Sequence, residues 1–215
     1  MDEINAPDHH LIERRPKVQA ALIVAGLVVL GISTLLLGSP RTVVPGWEQS
    51  VFRRVNGLSD VWRVPLAIEM QLGTVPAIVV VSAGLYLSGR RRGAAAAATA
   101  GVLAWIGAKW VKVAVGRGRP ADLLDHVRLR QAHFTGLGFI SGHTAVSFAL
   151  ATVVTPYLRG RWRILPLALA SLVGFARMYV GAHLPLDVVG GAGLGIACGT
   201  FATWAYGRSP TRSTT

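Results

Sequence analysis

Long apolar runs, separated by short polar segments rich in arginine, dominate the chain. The first run, residues 18–37, carries no charged side chain. It is long enough to cross a bilayer, which takes roughly 20 helical residues. Further runs follow at about residues 64–88, 94–115, 141–158, 164–180 and 184–206. The pattern predicts an all-α integral membrane protein, a six-transmembrane-helix bundle that forms one domain over residues 18–206.

The segment between the first two runs, residues 39–63, predicts an amphipathic helix. Its apolar side chains, among them Trp47, Phe52 and Trp62, roughly follow helical spacing, and Arg53 lies elsewhere around the helix. Tryptophan is favoured where a helix lies in the membrane interface. We therefore expect an interfacial amphipathic segment, although a loop helix packed on the protein's own surface fits the spacing nearly as well.

Basic clusters predict the orientation of the bundle. Six spans place both termini on one side of the membrane, so the predicted tails, residues 1–17 and 207–215, share that side with Arg90-Arg91-Arg92 and the basic residues of 159–163. By the positive-inside tendency this side is cytoplasmic. The prediction is a multi-pass protein of the plasma (inner) membrane whose polar 116–140 loop is extracytoplasmic. About as many basic residues lie on the opposite side, and several of them belong to the candidate site described next.

Composition supports the membrane class. Hydrophobic residues make up 52% of the chain, charged residues 15%, and the mean hydropathy is +0.47, which does not suit a soluble globule. The net charge of +12 is spread as short clusters between apolar runs, so we expect contact with anionic lipid headgroups and no nucleic-acid partner. One cysteine, Cys198, allows no disulfide within the chain. Because the first run is long, we expect a retained anchor rather than a cleaved signal peptide.

Three polar segments are predicted to meet on the extracytoplasmic side. They are residues 112–120, where the third span ends, residues 140–143, where the fourth begins, and residues 177–187, between the fifth and the sixth. Alternating spans expose successive junctions on alternate sides, and all three of these fall on the same one. This agreement predicts a single site at that end of the bundle.

The basic side chains of these segments and the start of the fourth span are suited to bind an anion. Lys112, Arg119 and Arg177 supply positive charges, and the guanidinium fork matches tetrahedral oxyanions. Ser141 and Gly142 open the fourth span, so we expect their backbone N–H groups, at the positive end of the helix dipole, to face the anion.

The second part of the set suits acid–base and nucleophilic chemistry. Pro185 is typical of a helix start, which places His183 just before that helix and Asp187 in its first turn, where a carboxylate can orient the imidazole. With His143, there are enough groups for a nucleophile and a separate general acid. An ion pair at the helix start without chemistry is the alternative. No Asp/Glu cluster suited to Mg²⁺ is present, so we predict a metal-free mechanism without a cofactor.

These segments resemble the signature of the type 2 phosphatidic acid phosphatase family, the lipid phosphate phosphatases, which shares a fold core with vanadium haloperoxidases. The family pattern is Lys, six residues, Arg-Pro; then Pro-Ser-Gly-His; then Ser-Arg, five residues, His, three residues, Asp. Here it reads Lys112, Arg119-Pro120; Ile140-Ser141-Gly142-His143; and Ala176-Arg177, His183, Asp187. Ile140 and Ala176 replace the family's Pro and Ser, which leaves substrate preference and rate open.

The resemblance implies roles that the residues alone do not assign. His183 is implied to attack phosphorus and become a phosphohistidine, oriented by Asp187. His143 is implied to protonate the leaving group and then to activate water. The groups implied to hold the phosphoryl oxygens are Lys112, Arg119, Ser141, Gly142 and Arg177.

The resulting hypothesis is a membrane phosphatase that acts on a lipid-linked phosphate on the extracytoplasmic side, with phosphate or vanadate as pocket ligands. Candidate substrates are a polyprenyl diphosphate, a polyprenyl-phosphosugar phosphate, phosphatidylglycerophosphate and phosphatidate. The alternatives are a non-hydrolytic lipid-phosphate binder or transporter and a lipid phosphotransferase that uses the same pocket. The sequence carries no signal for the oligomeric state.

Other polar residues have weaker cases. Glu69 is expected either to line the same end of the bundle or to bond between helices. Lys109 and Arg117 are expected to anchor at the interface and to make the opening electropositive, and Trp105 and Trp110 to be interface or packing residues. A solvated loop is expected to carry Asp122, Asp125, His126, Arg128, Arg130 and His133.

Overall fold

The computed structural model describes residues 16–37, 43–131 and 136–207. The predictions for most of the two tails and for His133 lie outside these residues. The described residues form helices and contain no strand. The α-helices are α1 (Pro16–Leu35), α2 (Gly46–Asn56), α3 (Arg63–Glu69), α4 (Val75–Leu87), α5 (Arg91–Val115), α6 (Pro120–Leu123), α7 (Gly142–Val154), α8 (Leu165–Tyr179) and α9 (Pro185–Gly207). Short 3₁₀ turns cover Asp60–Trp62, Met70–Gly73, Thr155–Tyr157 and Gly160–Ile164.

The predicted apolar runs form helices, but not all of them are long enough to cross a bilayer alone. Within the described residues, α1, α5 and α9 pass a test of length and hydropathy, and the bent pair Asp60–Gly73 with Val75–Leu87 adds a fourth span if it is counted as one. α7 and α8 have only 13 and 15 residues. The all-helical membrane class is therefore supported, whereas the count of six spans stays a prediction.

The second predicted span is not continuous. The helical segments on either side of Thr74 are inclined by 65°, and α4 begins with Pro76 in its first turn. Proline removes a backbone donor and suits a helix start, so this residue favours a new helix over the extension of the previous one. Glu69, Gln71 and Thr74 interrupt the apolar sequence close to this break, which the prediction of one continuous span over residues 64–88 does not include.

α9 is the centre of the bundle and packs against α1, α5 and α7. Gly191, Gly195 and Gly199 lie every four residues along its contact with α7. A Cβ at Gly191 would lie 2.6 Å from the carbonyl oxygen of Ser141, so only glycine permits this approach. A glycine at every fourth position therefore allows α7 and α9 to pack closely.

α2 buries a face different from the predicted one. Glu48, Phe52 and Asn56, spaced by four residues, are buried, whereas Trp47 is half exposed. Phe52 packs in a small cluster with Leu184, next to the start of α9. α2 is thus packed on the protein through a partly polar face, which agrees with the alternative of a loop helix.

Apolar side chains also cover the outer surface of the bundle. Val24 on α1, Val80 on α4 and Val113 on α5 are exposed by 58%, 69% and 73%. A soluble protein of this size rarely exposes so many large apolar side chains on its helices. The surface therefore indicates a membrane location.

Candidate active site

A cavity of about 290 Å³ opens where α5 ends, α7 begins and α8 connects to α9. The three polar segments predicted to meet do so at this cavity. Most of the predicted site residues line it: Lys112, Arg119, Gly142, His143, Arg177 and His183. Ser141 and Asp187 are buried behind it.

Lys112 reaches the cavity because α5 ends one turn later. Gly116 has φ +71° and its N–H donates to the carbonyl oxygen of Lys112, which closes the helix with a left-handed residue. The Nζ atom of Lys112 donates to the carbonyl oxygens of Leu137 and Gly138 at 2.9 and 2.8 Å. The lysine therefore joins the end of α5 to the loop that leads into α7.

The two arginines of the cavity come from different elements, Arg119 from the residue before α6 and Arg177 from α8. The guanidinium of Arg119 donates to the carbonyl oxygens of Gly136 and Ala182, both at 3.1 Å. Arg177 lies in the last turn of α8 and is only 5% exposed, with Nη1 3.7 Å from the Sδ atom of Met70. Together with Lys112, they create a strongly positive cavity that suits a bound phosphate.

His183 lies in the short connection between α8 and α9 and is 2% exposed. Its Nδ1 atom is 3.4 Å from Oδ2 of Asp187, slightly beyond the usual N–H···O range of about 2.7–3.2 Å. Burial, and then the positive charges of Lys112 and Arg177, lower the pKa of His183 well below its usual value. The imidazole is therefore neutral at neutral pH, the form in which its nitrogen lone pair can act as a nucleophile.

The start of α9 fixes Asp187, as the proline signal predicts. α9 begins at Pro185, and the backbone N–H of Leu184 donates to Oδ2 of Asp187 at 2.9 Å. Oδ2 of this carboxylate faces Nδ1 of His183, whereas Oδ1 lies 3.1 Å from Nη1 of Arg117. The aspartate is fully buried.

Ser141 does not have its expected contacts. Its side chain caps α7 by accepting from Thr144, and its backbone N–H donates to the carbonyl oxygen of Asp187 at 2.8 Å. The expectation that this N–H faces an anion is therefore wrong, because the protein already occupies it. Gly142 and His143, the next two residues, do line the cavity.

Arg117 and Glu48 are the functional candidates that the sequence does not reveal. Arg117, expected to anchor at the interface, is 1% exposed. Its guanidinium lies 3.1 and 2.6 Å from the two oxygens of Glu48 and 3.1 Å from Asp187. The spacing of Glu48 four residues before the buried Phe52 is the one signal that could have placed it inward.

The loop of residues 116–140 is less solvated than expected. Arg130 is 7% exposed and donates to Asp60 and to the carbonyl oxygens of Asn56, Leu58 and Tyr179. The prediction that Arg130 lies on a solvated part of the loop is therefore wrong. The other described loop residues in that prediction are at least partly exposed: Asp122, Asp125, His126 and Arg128.

The remaining wall of the cavity comes from α5 and from the break before α4. Trp105 and Lys109 line it, with Nζ of Lys109 3.5 Å from the centre of the Trp105 ring. The position of Lys109 agrees with the expectation that it makes the opening electropositive, whereas Trp105 borders the cavity, which was not expected. Trp110 is 72% exposed, and Glu69 does not line the cavity.

No group of three His, Cys, Asp or Glu side chains within residues 16–37, 43–131 and 136–207 has a spacing that could hold a metal ion. The metal-free mechanism and the lack of a cofactor stay predictions.

The chain has clear relatives. The family model described as the PAP2 superfamily matches residues 93–210. The lipid A 4'-phosphatase of Porphyromonas gingivalis is 32% identical over an alignment of 102 residues, and the match covers 43% of this chain and 42% of that protein. The chain thus matches about two fifths of the length of that relative.

Two solved structures have a similar fold. The crystal structure of Aquifex aeolicus LpxE is 28% identical, with a TM-score of 0.67 over 72% of this chain and 93% of the other. The PAP2-type phosphatidylglycerolphosphate phosphatase of Bacillus subtilis is 21% identical, with a TM-score of 0.69 over 85% of this chain and 94% of the other. The second likeness concerns the fold alone.

Proposed function

Because the chain belongs to the PAP2 superfamily, we propose that it is a membrane phosphatase that hydrolyses a phosphomonoester or diphosphate of a lipid-linked substrate. The observation that carries the proposal is the cavity in which His143 and His183 lie among Lys112, Arg119 and Arg177. A neutral buried histidine surrounded by cations is what attack on a phosphate requires, since the cations draw the anion in and stabilise the charge that develops on it.

The phosphate is held by groups from three segments. Lys112 and Arg119 approach from the end of α5, Arg177 from the end of α8, and the backbone N–H of Gly142 from the start of α7. Ser141 does not bind the phosphate in this proposal but holds the start of α7 against α9, because its backbone N–H donates to the carbonyl oxygen of Asp187. Charge-assisted hydrogen bonds of this kind are the strong ones, and the guanidinium forks fix the orientation of the phosphoryl group.

Hydrolysis proceeds in two steps. Nδ1 of His183 faces Asp187, so Nε2 attacks phosphorus; an N–P bond forms while the P–O bond to the lipid breaks. The negative charge of the bound phosphate offsets the cations beside His143 and favours its protonated form, which gives its proton to the leaving oxygen. In the second step neutral His143 takes a proton from water, the hydroxide attacks phosphorus, and the N–P bond breaks. Inorganic phosphate leaves, His183 is restored and His143 is protonated again.

The substrate is a lipid whose tail stays in the bilayer. The cavity combines cations with apolar wall residues such as Val75 and Ala108, which suits a phosphorylated headgroup at the membrane surface. The candidates are the polyprenyl and glycerolipid phosphates, to which the names of the relatives add lipid A. We place the site on the extracytoplasmic side of the plasma membrane with both termini in the cytoplasm, as the distribution of basic clusters predicts.

The test is release of inorganic phosphate by the purified full chain in detergent from a panel of these lipids. We expect turnover in the presence of EDTA, inhibition by vanadate, and a radiolabelled phosphoenzyme in alkali-quenched samples, because the P–N bond of a phosphohistidine is stable in base and labile in acid. His183→Asn removes the nucleophile and is expected to abolish both turnover and labelling. His126→Asn is the matched control, because His126 is an exposed loop residue outside the cavity with φ +59°, which asparagine tolerates. Wild-type turnover by His183→Asn would contradict the mechanism.

A further inference from the structure

Three charged side chains form a continuous row of buried ion pairs behind His183. Glu48 comes from α2, Arg117 follows α5, and Asp187 lies in the first turn of α9. The side chains of all three are 0% exposed. None of them lines the cavity, so the phosphate does not contact them directly.

Stability alone does not account for this chain of charges. Ion pairs taken out of water lose their hydration, and their replacement by apolar residues of similar size is often neutral or stabilising. The geometry is nevertheless well satisfied: the Arg117 guanidinium contacts both oxygens of Glu48 and one oxygen of Asp187. The contact with Asp187 points to a role in the reaction.

We propose that Arg117 is a positioning residue for hydrolysis, which orients the carboxylate of Asp187 toward His183, and that Glu48 fixes Arg117. The inference rests on the proposed role of His183 as the nucleophile. Oδ1 of Asp187 is held by Arg117 and Oδ2 by the N–H of Leu184. Rotation of the carboxylate away from Nδ1 of His183 would break both contacts.

The charges of these three side chains also suit the reaction. Glu48 and Asp187 each carry a negative charge and Arg117 a positive one, so the group behind His183 has a net charge of −1. The imidazole gains positive charge as it attacks phosphorus, and a fixed negative charge at its far nitrogen stabilises that state. Without Glu48 the net charge behind His183 is zero, and this stabilisation weakens.

Glu48 has a second contact that joins α2 to the site. Its Oε1 atom accepts the backbone N–H of Leu186 at 3.0 Å. A single carboxylate thereby holds both Arg117 and the first turn of α9. α2, which lies outside the central bundle, thus contributes to the position of the nucleophile.

A double-mutant cycle on the full chain tests the proposal. Arg117→Lys keeps the charge but loses the fork that spans two carboxylates. We expect it to lower kcat by about 10- to 100-fold, the range seen when the hydrogen-bond partner of a metal-ligating side chain is lost, with KM within about twofold. In an Asp187→Asn background the same substitution is expected to cost less than about threefold, because residues that act through one another are non-additive. An equal fold loss of kcat from Arg117→Lys in the wild-type and in the Asp187→Asn background would overturn the proposal.

Glu48→Gln supplies a second variant with the same expected pattern, so the test does not depend on the folding of Arg117→Lys. Arg130→Lys is the matched control, since Arg130 is another buried arginine, bonded to Asp60 rather than to the site. It is expected to lower the melting temperature while kcat stays unchanged. Wild-type kcat in a folded Arg117→Lys or Glu48→Gln protein overturns the inference, whereas a wild-type protein that releases no phosphate from any substrate contradicts the proposed function instead.

Discussion

The backbone N–H of Ser141 donates to the carbonyl oxygen of Asp187 at 2.8 Å. This bond joins the residue before α7 to the first turn of α9. Because His143 follows Ser141 by two residues and His183 precedes Asp187 by four, it also fixes the two histidines relative to each other. The relative position of general acid and nucleophile therefore depends on how closely α7 and α9 approach.

Gly191→Ala tests that dependence. The added methyl would lie 2.6 Å from the carbonyl oxygen of Ser141, so α7 and α9 must separate. We expect the free energy of unfolding to fall by about 1–3 kcal/mol, as for other overpacked contacts, and kcat to fall as well. Thermal unfolding in detergent and steady-state kinetics measure the two effects.

Gly31→Ala is the control for this substitution. Gly31 also lies in a helix, but a methyl there meets nothing within 4 Å. Alanine favours the helix by up to about 1 kcal/mol over glycine, so stability is expected to rise slightly with kcat unchanged. Equal losses in the two variants would refute the proposed role of the close approach.

Arg177→Lys tests the fork that binds the phosphoryl oxygens. Lysine keeps the positive charge but cannot donate two parallel hydrogen bonds. We expect the vanadate inhibition constant to rise by about 10-fold, which corresponds to roughly 1.4 kcal/mol of lost binding. The same exchange at exposed Arg128 is expected to leave inhibition unchanged, and a similar shift in both variants would argue against a specific phosphate contact.

Lys109→Gln tests the cation at the wall of the cavity. Lys109 is exposed and stacks on Trp105, where it can attract an anionic headgroup without taking part in the chemistry. An exposed ion pair contributes up to about 1 kcal/mol, so we expect KM to rise about fivefold with kcat retained, and less so at high salt.

Arg161→Gln is the matched control for Lys109, because Arg161 also stacks on a tryptophan, Trp162, but lies outside the cavity. It is expected to leave KM and its salt dependence unchanged. A loss of kcat rather than of KM in Lys109→Gln would assign this lysine to the chemical step instead.

The burial of His183 predicts a dependence of stability on pH. Its pKa in the folded protein lies well below the usual value of 6.5, so the unfolded chain binds the proton more tightly. The contribution of the neutral imidazole is fully present above pH 6.5 and is lost as the pH falls below it. We expect the melting temperature to fall between pH 7 and pH 5, and less steeply in His183→Asn. An equal slope in both proteins would show that this histidine does not contribute to the pH dependence.

Local sequence patterns predicted the helices and the residues that gather at the cavity. Apolar runs locate helices because hydrocarbon-facing segments have few alternatives, and motif spacing locates Lys112, Arg119, His143, Arg177 and His183. The prediction of one span over residues 64–88 does not include the break at Thr74, although Gln71 before it and Pro76 after it mark the end of one helix and the start of the next.

The buried arginines could not be predicted from their surroundings in the sequence. Arg117 lies between two glycines in a polar segment, which is typical of an exposed residue, and its partner Glu48 is 69 residues away. Arg130 likewise obtains its partners from residues 49 to 74 positions distant. Burial of a charge depends on partners that only the folded chain supplies.

The contact between Glu48 and the N–H of Leu186 spans 138 residues, which has a consequence for biosynthesis. Glu48 leaves the ribosome long before Leu186, so its carboxylate obtains both of its partners only after the start of α9 has been synthesised. A nascent chain that ends before α9 carries Glu48 and Arg117 but lacks Asp187, to which Arg117 donates. The charged group behind His183 is therefore complete only after α9 has been synthesised and has entered the bundle.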